Sequence, residues 1–293
     1  MINAWFLEGL TADTVPTSLH DLQAQFTPRV VTLGDLVPEK KWEATVAGHT
    51  SDLPQGWTEL GALASFRRGI ATGCNRFFFL SVAEADAAGI SGHNRRACIG
   101  RSADARGLRF GPDHLADLTS AGRRVVLVDF SADLSEADAK YIDRGHAEGL
   151  HERYLLKMRK PWFSMEKRPR APIWAAVFGR GDLRFVLNDT DTHNLTNFHC
   201  VFPKIEGAAF HKALCLLLNT STVRARFGQA GRTYAGGLKK FDPNDLKHVH
   251  IPDLRNLSKT AVQELAAIFD AETRQEDSTV LSAAAEAQIA TYF

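Results

Sequence analysis

Apolar positions along the chain recur with two different periods. Short runs dense in aromatic and β-branched residues, at 76–80, 125–128, 173–178 and 198–202, predict strands. Steps of three and four link Phe210, Leu214, Leu217 and Leu218, and again Val262, Leu265, Ile268 and Phe269, which predicts packing helices over 208–219 and 259–271. The alanine-rich stretch 281–290 predicts a helical tail. Before Trp57 no period is sustained, and Pro16, Pro28 and Pro38 interrupt it, so residues 1–56 read as an irregular lead-in or linker with one short helix around 18–25. The expected architecture is α+β. A mixed or antiparallel β-sheet core with packed helices spans 57–252, and a helical C-terminal tail follows over 253–293.

Composition alters this picture little until charge is counted by segment. With 293 residues, 44% of them hydrophobic and 24% charged, the chain can bury a sizeable core as one domain or two. No apolar stretch approaches the roughly 20 residues that cross a bilayer, and the first residues lack the basic-then-apolar order of a signal peptide. A cytoplasmic protein without a membrane partner is expected. Cys74, Cys98, Cys200 and Cys215 form no Cys-x-x-Cys pair, so they are expected to be buried thiols and not metal ligands or disulfides. The net charge is only +1, yet Lys and Arg outnumber Asp and Glu by 8 to 3 over 66–109, 8 to 3 over 151–183 and 7 to 1 over 204–240. The intervening segments are acidic. Three basic blocks folded onto one face would make a phosphate-binding cleft, while scattered solvated charge explains the same counts equally well.

Four blocks carry candidate chemistry. In the first, Arg67, Arg68, Thr72, Asn75 and Arg76 surround Gly69 and Gly73, a pattern that permits close approach to a nucleic-acid backbone or forms a glycine-stabilised hairpin. The second interleaves bases with Tyr154, Trp162 and Phe163, combining phosphate neutralisation with flat apolar surfaces; for Trp162 burial is the favoured reading. The third, 188–199, offers Asn194, Thr196, Asn197 and His199 as groups able to read base edges, whereas Asn188 and Asp189 suit turn formation. In the fourth, a helix ends and a basic, glycine-rich loop presents Arg232, Tyr234, Lys239 and Lys240 before a strand closing on Pro252. The pairs His193 with His199 and His248 with His250 lack further ligands at metal-site spacing.

The ordered set Arg-Arg-Gly-Ile-x-Thr-Gly-x-Asn, Arg-Lys-Pro-Trp and Arg-x-Tyr-x-Gly-Gly-Leu-Lys-Lys, followed by Val-x-Ile-Pro, resembles the C-terminal target-recognition domain of TaqI-like adenine-N6 DNA methyltransferases from restriction-modification systems. The resemblance spans about residues 57–252. It implies a domain that grips double-stranded DNA while a separate catalytic domain or subunit binds S-adenosylmethionine and the flipped adenine. Carried over by motif, the contact residues are Arg67, Arg68, Thr72, Asn75, Lys160, Trp162, Asn194, Thr196, Asn197, Arg232, Tyr234, Lys239 and Lys240. Residue 235 is Ala where the family more often has a further glycine.

A complete enzyme of that kind also needs a glycine-rich cofactor loop and an Asn-Pro-Pro-Tyr-type tetrapeptide. No Pro-Pro pair occurs in the sequence, and Gly179-Arg180-Gly181-Asp182 lacks a third glycine. The chain itself is therefore expected to hold no cofactor and no metal and to transfer no methyl group, as a fragment or a split subunit would. Two alternatives stand beside this reading. One is a magnesium-dependent nuclease using Asp129, Asp133 and Glu136, although an acid-rich helix start explains those residues more simply. The other is an assembly subunit that never meets DNA.

Overall fold

The computed structural model describes residues 2–4, 16–27, 29–32, 54–179, 183–230, 232–234, 238–274 and 278–293. Two compact units, 1–55 and 56–293, make up the chain. In the first unit, β1 (Ile2–Ala4) pairs antiparallel with β2 (Arg29–Val31), and α1 (Leu19–Gln25) falls between them in sequence. Ser18 starts α1 by accepting from the Asp21 backbone N–H at 3.1 Å, close to where the sequence places a helix. The strand pair was not foreseen, because three residues on either side are too few to show a period.

The second unit is built on a five-stranded mixed sheet. Its order is β4 (Ala64–Arg68), β13 (Phe198–Pro203), β9 (Ile173–Ala176), β11 (Arg184–Asn188) and β7 (Arg109–Phe110). Neighbours run antiparallel except β11 and β7. Alternation along the strands sends Ile173, Ala175, Phe185, Leu187 and Val201 into one core and Trp174, Val186, Phe198 and Cys200 into another, each at most 3% exposed. Burial on both faces is why these runs are almost continuously apolar.

Helices cover the first face. On α8 (Ala208–Leu218) the face carrying Phe210, Leu214 and Leu217 meets Leu265, Ile268 and Phe269 of α11 (Lys259–Glu272). Val223 and Phe227 of α9 (Ser221–Ala230) and Ile289 of α12 (Ala283–Ala290) complete that core. The C-terminal helices thus share the apolar interior of the sheet body. On the second face lies a four-stranded sheet, β12 (His193–Asn194), β6 (Arg95–Ile99), β8 (Arg124–Val128) and β5 (Phe79–Ser81), with α6 (Glu136–Ala147) contributing Tyr141 and Ile142.

The aromatic run at 76–80 departs from its expected strand. Its first part is a helical turn, α3 (Asn75–Phe78), and β5 begins only at Phe79. Three consecutive aromatic rings must all be buried, and the helical turn lets Phe77 pack 4.5 Å from Tyr141 and Phe78 6.3 Å from Trp162 before Phe79 enters the ladder opposite Leu127. A short apolar run does not by itself distinguish these conformations. All four cysteines are buried and free, and no helix among the described residues is long and apolar enough to cross a membrane.

Candidate nucleic-acid interface

Backbone register gathers three of the four blocks at one end of the central sheet. There β4 ends with Arg68 opposite His199, and the Gly69 N–H donates to Phe198 O at 3.1 Å. Ile70 N–H donates to Asn194 O at 2.9 Å, and Val177, just past β9, donates to Asn197 O at 3.3 Å. The chain then enters β10 (Phe178–Gly179), whose residues face Lys240 and Lys239 of β15 (Leu238–Lys240). On its other side β15 pairs with β14 (Arg232–Tyr234), setting Arg232 opposite Lys240. His199 Nε2 lies 2.7 Å from Phe241 O and ties β13 to the residue after β15.

Gly69 is required by this crowding. A Cβ there would collide with the Leu195 carbonyl oxygen and stand 2.6 Å from Asn194 Nδ2. The close approach this glycine permits is therefore to the third block of its own chain.

The second block joins through a charge clamp. Glu166 accepts from Arg68 Nη2 at 2.8 Å, from Arg168 Nε at 3.2 Å and from the Ala71 N–H at 3.4 Å. Arg159 donates to Ala71 O at 2.5 Å, to Thr72 O at 3.1 Å and to Ser164 O at 3.0 Å, bolting the two loops together. Burial draws its guanidinium below the ordinary arginine value, Glu166 opposes that effect, and Arg68 adds to it. Glu166 is the lone carboxylate between Glu152 and Asp182, set among seven basic residues over 153–170.

The sequence-predicted residues divide by placement. Arg67 and Lys160 are exposed and, among the described residues, form no ion pair. Asn75 is exposed, and its Oδ1 accepts from Thr72 Oγ1 at 2.5 Å. Thr72 itself is 2% exposed and also accepts from the Cys74 N–H at 3.1 Å. Asn194 is equally buried: its Nδ2 donates to Phe198 O at 3.2 Å and its Oδ1 accepts from Cys200 Sγ at 3.2 Å. Both side chains hold the loops from behind. Thr196 and Asn197 are half-buried, and Asn197 Nδ2 donates to Gly100 O at 2.6 Å. Trp162 is half-buried among aromatic rings, its centroid 5.7 Å from Phe77 and 5.8 Å from Phe163. Arg232, Tyr234, Lys239 and Lys240 are placed by their backbones on β14 and β15; their side chains lie outside the described structure.

Sequence reasoning did not single out Arg159, Glu166 or Arg168. The available signal was the isolation of one acid within a basic run, which favours a buttress over a solvated charge.

Two of the three acids of the nuclease alternative are held in ion pairs. Asp129 is 2% exposed and paired with Arg96 at 2.5 Å, while the Glu136 carboxylate pairs with Lys140 at 2.6 Å one turn along α6. Asp138 closes the capping box of α6 with Ser135. Burial opposes its ionisation, but hydrogen bonds from Ser91 and Ser135 outweigh that and hold the carboxyl well below the usual range. Among the described residues no group of His, Cys, Asp or Glu is arranged to hold a metal ion. Nor does the backbone at Gly179 fit a cofactor loop for S-adenosylmethionine. Gly179, the described part of the glycine-bearing stretch 179–182, sits in an antiparallel ladder opposite Lys239, not at a turn into a helix.

With the geometry set, residues 51–289 match the family model for the C-terminal domain of type II methyltransferase M.Eco57I. The chain belongs to that family. Among individual proteins, this C-terminal-domain chain is 31% identical over 245 residues to the type II methyltransferase M.AccI of Acinetobacter calcoaceticus, covering 83% of the chain and 45% of that protein. It is 28% identical over 209 residues to the type II methyltransferase M.XamI of Xanthomonas campestris pv. amaranthicola, covering 69% and 37%. The chain thus spans less than half the length of these curated relatives. In fold, it is similar to part of the type IIG restriction endonuclease BpuSI, with a TM-score of 0.50 at 14% identity over 78% of the chain and 28% of that enzyme. The chain is a C-terminal module related to restriction-modification methyltransferases.

Proposed function

We propose that this module is the sequence-specific, double-stranded DNA recognition part of an adenine-N6 DNA methyltransferase, acting in the cytoplasm with a catalytic domain or subunit that supplies S-adenosylmethionine chemistry. The observation that supports the reading best is the meeting of the basic blocks at one sheet end, where the Glu166 clamp ties Arg68 to the second block and the ladder brings Lys239 and Lys240 alongside. A duplex carries phosphates closely spaced along two strands, so it selects for several cations held at fixed separations.

Arg67, Arg68, Lys160, Arg232, Lys239 and Lys240 are the proposed phosphate and groove contacts. Asn75, Thr196, Asn197 and Tyr234 are the proposed readers of base edges, and the buried Thr72 and Asn194 and the half-buried Trp162 are proposed to support the recognition loops. The test is duplex binding by fluorescence anisotropy across a salt series. If about four phosphates are neutralised, the logarithm of the binding constant falls with log salt at a slope of about −3.6. Charge reversal of Arg68 with Lys160, and separately of Arg232 with Lys239, should each lower affinity and flatten that slope. Unchanged binding in both variants would favour the assembly-subunit reading.

A further inference from the structure

Between Leu150 and Ser164 the chain presents an apolar surface that the phosphate contacts do not use. The four-residue helix α7 (Tyr154–Lys157) is anchored by Leu156, which is fully buried beneath Gly73 of the first block. On its outer side Tyr154 is 76% exposed, Met158 74% and Leu155 40%. Met158 caps this turn four positions after Tyr154, the spacing that sets side chains on one side of a helical turn. The Lys157 ammonium sits 5.8 Å from the centre of the Tyr154 ring. These are three of the nine large apolar side chains exposed among the described residues, and such grouping, unlike single exposed side chains, marks a contact.

Charge decides what the contact is with. From Arg153 to Met165 there are four basic residues and no carboxylate; Arg153, Lys157 and Lys160 are exposed, while the Arg159 guanidinium is spent on backbone carbonyls. Arg159, next to Met158, is bonded to the carbonyls of Ala71 and Thr72, which fixes the knuckle beside the loop that carries Asn75. Exposed cations on either side of an aromatic and a thioether fit a polyanion whose phosphates lie outside a flat apolar interior.

We infer that Tyr154 and Met158 form the module's apolar contact with duplex DNA, packing against sugars or base edges in a groove while the neighbouring cations hold the phosphates. This rests on the proposed DNA-recognition function and names a surface that function does not require. It also moves the aromatic contact from Trp162, whose ring is occupied by Phe77 and Phe163, to a ring that faces outward.

Apolar and ionic contacts separate by their response to salt. In the full chain, Tyr154→Ala combined with Met158→Ala is expected to weaken binding of a labelled 30-bp duplex roughly tenfold at every salt concentration, with the salt slope unchanged. Lys157→Ala is expected instead to flatten the slope by about 0.9. Both sites are on the surface, and an unchanged melting temperature verifies that the fold is intact. If the wild-type chain binds with a steep salt dependence and the double variant binds as well, this inference is overturned and the function stands. If the wild-type chain binds no duplex, both fail. A photo-crosslinker at position 154 supplies a second readout: adducts to DNA support the inference, and adducts only to a catalytic subunit in the presence of DNA overturn it.

Discussion

Glu166→Gln removes one charge from the clamp while keeping the length of the side chain, and it should affect stability and DNA binding in opposite directions. The side chains of Arg68 and Glu166 are 49% and 24% exposed, so their 2.8 Å contact resembles a surface ion pair worth about 0.2–1 kcal/mol more than a buried charged bond. With the weaker contacts from Arg168 and Ala71 included, the fold is expected to lose roughly 1 kcal/mol. The effect on DNA has the opposite sign. A phosphate gripped by Arg68 from its free side would stand about 7 Å from the Glu166 carboxylate, where like charges repel by about 0.6 kcal/mol at the dielectric constant of water and about 2.4 kcal/mol at an effective value near 20. Removing that repulsion tightens duplex binding roughly 3- to 60-fold, towards the lower end as salt screens the pair. Anisotropy titrations from about 50 to 200 mM salt measure the gain, and urea unfolding measures the loss of stability. Weaker binding at every salt concentration would refute the reasoning, because it would mean that Glu166 aims Arg68 at the phosphate instead of competing with it.

Three further outcomes follow from the packing. Asn194→Ala removes one of the two donors to the Phe198 carbonyl, which keeps the Gly69 N–H, and the nearer acceptor of the Cys200 thiol, and should cost about 1–2 kcal/mol in urea unfolding, with DNA affinity unchanged for the folded fraction. Gly145→Ala brings a methyl group 2.6 Å from Phe77 Cε2 and 2.8 Å from Trp162 Cη2; the overpacking cost of about 1–3 kcal/mol should exceed the gain of about 1 kcal/mol in helix propensity, so a raised melting temperature would contradict the packing assigned to Trp162. Asp138 has a folded-state pKa below its unfolded value, so it contributes stability above the ordinary carboxylate range that is lost as pH falls through the folded value. Wild-type stability should accordingly fall more steeply than that of Asp138→Asn between about pH 5 and pH 3, and parallel profiles would show that the capping bonds do not favour the ionised form.

Much of the fold could be read from periodicity. The strands at 125–128, 173–178 and 198–202 and the helices at 208–219 and 259–271 all rest on long or strongly patterned segments, and the structure places β8, β9, β13, α8 and α11 there. The turn at Asn75–Phe78 was not legible, because its conformation is set by where Tyr141 and Trp162 receive the rings, and those residues come more than 60 positions later in the sequence. The candidate site was legible as basic blocks but not as an arrangement. Sequence could propose that Arg68 and the second block converge; only the fold shows Glu166 as the group joining them, and only burial separates Asn194 and Thr72 from Asn75 and Lys160.

The central sheet is covered on both faces, and the basic blocks leave it from the ends of its strands. The loops at that end therefore hang from an interior whose packing does not depend on most of their outward side chains, and their sequence can drift at little cost to folding. Gly69 and Asn194 set the limit of that freedom. On the proposed DNA-recognition function, exchanging only the outward residues between relatives, with these two kept, is expected to transplant specificity without rebuilding the scaffold.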